Sequence, residues 1–368
     1  MPYCVKKCAY CDFVSYTDRF STANSYCDTV IDELMQYDAC GYSVETVFFG
    51  GGTPSAVAPE IIMRILSAIG QKYSLADNAE ITLECNPCTI TEDKLCLYRS
   101  YGINRLSIGV QSFDDNVLKI LGRVHDANTA RKSIESAKKA GFDNINVDLM
   151  FAVPCQTEKS LSDSINECAS FGVRHISLYS LILEDGTGLK RDVDSGVLSA
   201  IDDDTDRRMY HTALKMLNEK GYLQYEVSNF AKPGYESRHN TAYWERKEYI
   251  GLGCAAHSFF GNKRYSNTEN LAKYLCGINV RANMLGAMLT DKNSAAEEII
   301  MLGLRMNKGI DIKRFSEDTG FKLLDICADS VEKLESEGLL ELSGNRLYAT
   351  DKGRDVLNYV ILELAQYF

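Results

Sequence analysis

The chain has 368 residues, 45% hydrophobic and 25% charged, the make-up of a folded protein with a sizeable core rather than a disordered chain. No apolar run nears the 18 or more residues of a membrane span, and no basic-then-apolar leader is visible, so the expectation is a cytoplasmic protein with at most peripheral membrane association. The net charge of −11 makes nucleic acid a poor general partner, and 13 cysteines, an odd number without a secretory leader, argue against a disulfide framework.

Residues 2–13, "PYCVKKCAYCDF", set Cys4, Cys8 and Cys11 in a C-x3-C-x2-C array. Three thiolates on one looped segment can converge on one inorganic centre. Iron–sulfur clusters usually take four cysteine ligands, so three leave one iron open to a small molecule. A zinc knob or three unrelated core thiols are the alternatives. Zinc sites usually come as paired C-x2-C or Cys/His sets, and the pair Cys85 and Cys88 has no histidine nearby.

"ETVFFG" (45–50) reads as a strand and runs into "FFGGGTPS" (48–55). Its glycines let a backbone approach a ligand closely and expose N–H groups. A phosphate loop is the weaker reading, since the lysine of G-x4-G-K-[ST] is missing, and a plain tight turn is the bland one. After a helical stretch over 59–73, the strand "AEITLE" (79–84) ends on Glu84, a carboxylate suited to a ribose hydroxyl pair or an ammonium group, or equally a surface charge. "INRLSIG" (103–109) is the next strand. Gln111 follows it with an amide to offer a ligand, and Arg123, twelve residues on, suits a two-pronged clamp on a carboxylate. Helical periodicity over 128–141 and 158–172 brackets the strand "NINVDLM" (144–150), which carries Asp148, and "HISLYSL" (175–181) follows. Singly, each polar residue is equally a satisfied structural one. Strand–helix alternation indicates an α/β fold with a parallel sheet, its polar and glycine-rich residues gathered at strand C-terminal ends, where barrels place their sites.

The pattern changes after about residue 220. "GYLQYEVSNFAK" (221–232) reads as a further strand region, and 238–259 holds His239, Tyr243, the sole tryptophan Trp244, and His257. Imidazole is a standard axial ligand of heme iron and aromatic rings stack on porphyrins, although a single histidine is more often an ordinary loop residue. A helical tail begins at 295–311, and 323–361 has the helix, strand, Ser343-Gly344-Asn345, strand, helix layout of a winged-helix-like module. In so acidic a chain a packing or partner role is favoured over DNA binding. The expected domains are a barrel over 1–220, a capping extension over 221–290 and a winged-helix-like domain over 291–368.

"CVKKCAYCDF" resembles the C-x3-C-x-aromatic-C signature of radical S-adenosylmethionine (SAM) enzymes. The resemblance implies a [4Fe–4S] cluster on Cys4, Cys8 and Cys11, with SAM bound at the open iron by its amino and carboxylate groups and cleaved to a 5′-deoxyadenosyl radical. It also implies SAM contacts from Tyr10, Gly51, Gly52, Thr53, Glu84, Gln111, Arg123 and Asp148, and from Ile182 as an adenine wall. The implied fold is a partial (β/α)6 barrel with the cluster loop after strand one. Only Met1, Pro2 and Tyr3 precede Cys4, so that first strand is expected to be missing, its neighbour's edge unpaired and the loop tethered on one side. Within the superfamily the chain is similar to the coproporphyrinogen III oxidase-like branch. Cys11-Asp12-Phe13 lacks the further cysteine of the oxidase type, and His239-Asn240-Thr241-Ala242-Tyr243-Trp244 matches the H-N-x-x-Y-W motif of the heme-chaperone (HemW) type. That match implies heme contacts at His239, Tyr243 and Trp244, and delivery of heme to membrane-bound respiratory acceptor proteins. The rival readings are an oxygen-independent coproporphyrinogen III oxidase and a heme or iron–sulfur sensor that contacts DNA. Cys254 stands where this type usually has proline.

Overall fold

Polar and apolar side chains alternate along the main strands, and this alternation sets the architecture. The computed structural model describes residues 1–38 and 41–368. Seven strands, β1 (Ser43–Phe49), β2 (Ser74–Cys85), β3 (Arg105–Gln111), β4 (Asn144–Phe151), β5 (His175–Ser180), β6 (Leu223–Glu226) and β7 (Asn229–Ala231), form one sheet in the order β1-β2-β3-β4-β5-β7-β6. The first five are mutually parallel, and the β6–β7 hairpin adds antiparallel to β5, so the sheet runs past residue 220. Val47, Phe49, Ile81, Leu83, Leu106, Ile108, Ile145, Val147, Ile176 and Leu178 are buried on one face. The intervening positions, Glu80, Thr82, Glu84, Arg105, Ser107, Asn146, Asp148, His175 and Ser177, point the other way. A parallel sheet packed by helices on both faces would be apolar throughout. Here one face takes helices and the other becomes the polar lining of a curled half-barrel.

The helices through the barrel are α1 (Ala23–Gln36), α2 (Pro59–Lys72), α3 (Glu92–Ser100), α4 (Asp115–Ile120), α5 (Ala127–Lys139), α6 (Glu158–Ser170), α7 (Gly188–Asp194) and α8 (Asp203–Glu219). Their starts are written locally: Pro59 opens α2, while the side chains of Thr91, Asp126, Thr157 and Asp202 accept backbone N–H bonds at the heads of α3, α5, α6 and α8. α5 and α6 are each followed by a glycine with positive φ, Gly141 (87°) and Gly172 (65°), as the sequence suggests.

Among the described residues β1 pairs with β2 alone, so no strand lies along its outer edge. At its C-terminal end Met1–Tyr3 lie against the glycine loop, with Gly52 N donating to the Met1 carbonyl (2.8 Å) and Thr53 N to that of Tyr3 (2.7 Å). The expectation that the cluster loop is tethered on one side is corrected. Cys4 N bonds the Tyr16 carbonyl, Tyr16 N that of Pro2, Ala9 N that of Leu121, and Leu189 N that of Ala9, so the loop is pinned along its length. A cavity of about 1170 Å³ runs beside the free edge of β1.

Beyond the sheet come α9 (Arg238–Trp244), the antiparallel pair β8 (His257–Phe260) and β9 (Lys263–Ser266), α10 (Leu271–Leu275), α11 (Val280–Leu285) and the short β10 (Met288–Leu289). The C-terminal module holds α12 (Lys292–Gly303), β11 (Ile310–Asp311), α13 (Ile312–Thr319), α14 (Leu323–Ile326), α15 (Ala328–Ser336), β12 (Leu340–Ser343), β13 (Arg346–Ala349), α16 (Asp351–Asp355) and α17 (Leu357–Ala365). It has its own core around Ile300, Phe315, Leu334, Leu347 and Val360. Asp355 joins it to Arg207 and His211 of α8, and Lys308 pairs with Glu245. Among the described residues no helix is long and apolar enough to cross a membrane.

Candidate functional site

The side chains singled out for a cosubstrate lie toward the C-terminal ends of the parallel strands, where α/β barrels place their sites. Cys4, Cys8 and Cys11 are half-buried on the pinned loop. Arg123 Nη1 donates to Cys8 Sγ (3.2 Å) and Nη2 to the Gly109 carbonyl (2.6 Å), which sets a fixed positive charge against the thiols. Thr53 Oγ1 lies 3.3 Å from Cys4 Sγ. Burial, then the neighbouring Cys8 and Cys4 thiols, push the Cys11 thiol up. Among the described residues no set of three or more His, Cys, Asp or Glu side chains stands at the spacing of a single metal ion. Cys85 of the C-x2-C pair is buried on the apolar face, so the pair does not act as a unit.

The N–H groups of the glycine loop are paired within the chain. Gly51 N donates to Glu84 Oε2 (3.2 Å), and the N–H groups of Gly52 and Thr53 hold Met1 and Tyr3. A Cβ at Gly52 would sit 2.9 Å from the Met1 and Tyr3 carbonyls, so glycine is required for this close approach. The Met1 amine donates to the Gly50 carbonyl (2.8 Å) in the field of Glu84, and burial pulls its pKa down to about 6. Burial, then the nearby Asp148 charge, pushes Glu84 up to about 8.

Asp148 is raised by burial too, but it is held by Asn146 Nδ2 (2.8 Å) and Ser107 Oγ (3.2 Å). Sequence reasoning missed Ser107 and Asn146, although the two-residue strand period places them on the face of Asp148. Gln111 has a positive φ of 67°, at the end of β3, and its amide and the Arg123 guanidinium both crowd the space a Cβ on Gly109 would take. Tyr10 packs against the small apolar cluster of Val117, Leu121, Met150 and Val153. Ile182 is 68% exposed, two residues beyond the end of β5.

The residues of the H-N-x-x-Y-W motif separate. Glu80 accepts from Arg238 N and His239 N, which anchors α9 to the barrel. His239 stacks on Phe48 (4.9 Å between ring centres), with Nδ1 bonded to Thr46 Oγ1 (2.7 Å) and Nε2 to the Tyr243 hydroxyl (2.8 Å). His239, Tyr243 and the exposed His257 all line the 1170 Å³ cavity, together with Phe48, Tyr249 and Phe260. Trp244 does not; its ring faces Arg305 at 5.8 Å. Cys254 Sγ donates to the Thr268 and Glu269 carbonyls (3.2 Å each), an ordinary satisfied thiol.

Residues 1–168 match the radical SAM superfamily, and residues 290–356 match the HemN C-terminal domain. The heme chaperone HemW of Lactococcus lactis is 32% identical over 98% of this chain and 94% of its own length, and that of Bacillus subtilis 34% identical over 98% and 96%. The chain belongs to the HemW family of radical SAM proteins. A mitochondrial radical S-adenosyl methionine domain-containing protein 1 of Danio rerio is 34% identical over 100% of this chain and 87% of its own. The structure of the radical SAM enzyme coproporphyrinogen III oxidase (HemN) from Escherichia coli superposes with a TM-score of 0.86 over 100% of this HemW-family chain and 89% of its own, at 22% identity, which shows the shared fold. Superfamily membership implies a [4Fe–4S] cluster and SAM. The residues present fit both: three thiols share one pinned loop beside a guanidinium, and the Glu84 and Asp148 carboxyls face the same side of the sheet, close enough for the Asp148 charge to raise Glu84.

Proposed function

We propose that this HemW-family chain binds heme and passes it to respiratory acceptor proteins. In this reading Cys4, Cys8 and Cys11 hold the cluster, and Tyr10, Gly51, Gly52, Thr53, Glu84, Gln111, Arg123, Asp148 and Ile182 hold SAM. The bound cluster would supply a one-electron donor and an iron position for the amino and carboxylate groups of SAM. The chain's own part is electrostatic and positional. Arg123 donates to Cys8 Sγ, the Glu84 carboxyl would accept from the SAM amine, and Asp148, held by Ser107 and Asn146, would accept from hydroxyl groups.

The observation that carries the heme reading is His239 on the wall of a large, mostly apolar cavity. Burial, then the Arg105 charge, pulls its pKa down to about 4, so at pH 7 the imidazole is neutral and can offer a lone pair to iron once it releases Tyr243. Phe13, 64% exposed, stands where the oxidase type carries a further cysteine. The proposal places the protein in the cytoplasm, reaching the membrane through its acceptors. Anaerobic iron–sulfur reconstitution followed by heme titration tests it. Saturable heme absorbance changes, weakened at least about tenfold in His239→Ala, are expected, without conversion of coproporphyrinogen III. Rapid formation of protoporphyrinogen, or unchanged heme affinity in the variant, would refute it.

A further inference from the structure

The floor of the half-barrel contains a buried cation that bonds to nothing. Arg105, the first residue of β3, is 2% exposed, and its guanidinium makes no hydrogen bond or ion pair within the described residues. Its Nε is fully buried without a partner, an arrangement that costs stability. Its two neighbours in register share the condition. Thr82 on β2 and Asn144 on β4 pair directly with Arg105, and Thr82 Oγ1, Arg105 Nε and Asn144 Oδ1 are all buried without a partner. Glu84 and Asp148 feel its charge through space, but no carboxyl among the described residues bonds to it: Glu84 accepts from Gly51, Asp148 from Ser107 and Asn146, and Glu80 from Arg238 and His239. A hydroxyl can donate, and a half-turn of the Asn144 amide presents its N–H₂ group. The row then offers three converging donors around one fixed positive charge, a receptor for a carboxylate.

The row adjoins the cavity through Phe48, which lines it, while Thr82, Arg105 and Asn144 lie behind that wall. Phe48 pairs with Thr82, so Phe48, Thr82, Arg105 and Asn144 follow one another across four strands, and Phe48 is the ring on which His239 stacks. Two strand spacings, about 10 Å, separate Phe48 from Arg105. A propionate arm of a porphyrin placed against His239 spans a comparable distance. We propose that Arg105, with Thr82 and Asn144, anchors a carboxylate side chain of the tetrapyrrole that docks at His239. This inference rests on the heme reading and adds the group that orients the ligand.

Absorbance titration of the full chain with heme and with heme dimethyl ester, whose carboxylates are masked, tests it in wild type, Arg105→Gln and Arg105→Lys. Wild type should bind heme about tenfold more tightly than the ester. Arg105→Gln should lose that preference, and Arg105→Lys should keep part of it. The thermal midpoint of Arg105→Gln should not fall, because no native bond of the guanidinium is removed. Equal preference in wild type and Arg105→Gln overturns the anchor while heme binding stands. A variant that fails to fold overturns it too, by making the guanidinium structural. Binding of neither ligand by wild type overturns the heme reading along with it.

Discussion

Replacing Glu84 by Gln asks whether the carboxyl at the end of β2 is kept protonated by its surroundings. Its pKa rises from 4.5 to about 8 in the folded chain, through burial and then the Asp148 charge, against smaller opposing effects of the Met1 amine, the Gly51 N–H and Arg105. A raised pKa means that the folded state holds a proton the unfolded state has released. The stabilising contribution is therefore complete below pH 4.5 and is lost as pH climbs through about 8. At about 1.36 kcal/mol per pKa unit the ceiling is near 5 kcal/mol, and the solvent that still reaches this half-buried carboxyl reduces it to roughly 2–3 kcal/mol. Urea denaturation of the SAM-free protein at pH 5 and pH 8 measures it. Wild type should lose roughly 2–3 kcal/mol more than Glu84→Gln between the two. Glu226, raised to about 7, and His125 and His239, lowered to about 4, titrate in both proteins and cancel in the difference, whereas the Met1 amine, lowered to about 6, is coupled to Glu84 and its Glu84-dependent part belongs to the difference. Parallel stability profiles would show that the carboxyl is ionised and solvated, and would remove the argument that it awaits an amine.

Glu33→Ala should cost about 3 kcal/mol by urea denaturation, because this buried carboxyl accepts from Tyr274 Oη (2.6 Å), Asn267 Nδ2 (2.6 Å) and Gly253 N (2.9 Å), binding α1 to the 253–274 region. Gly309→Ala should destabilise the C-terminal module by about 3 kcal/mol or more, read by tryptic susceptibility of residues 292–368, since φ is +63° and a Cβ would lie 2.2 Å from the Leu347 carbonyl. Gly109→Ala should weaken SAM binding about tenfold in calorimetry with little loss of stability, because its Cβ would meet Gln111 Nε2 at 3.1 Å and Arg123 Nη2 at 3.4 Å.

Local periodicity located most of the fold. The strand read at 144–150 spans Asn144–Phe151, and the helix read at 158–172 spans Glu158–Ser170, because alternation and capping are properties of neighbouring residues. β2 begins at Ser74 rather than residue 79. Its polar start reads as loop, yet pairs with Ser43 and Val44 on β1.

Cysteine spacing, the glycine loop and the strand-end carboxylates were legible because they lie contiguous in the chain. The tertiary structure alone decided that Gly52 and Thr53 spend their N–H groups on Met1 and Tyr3, that Trp244 turns from the cavity His239 enters, and that Arg105 lies buried without a partner. Those outcomes depend on which segments meet across strands and between layers, and on which polar groups are already paired when they do. A short stretch of sequence dictates its own period, but the partners of its side chains are chosen by residues far away along the chain.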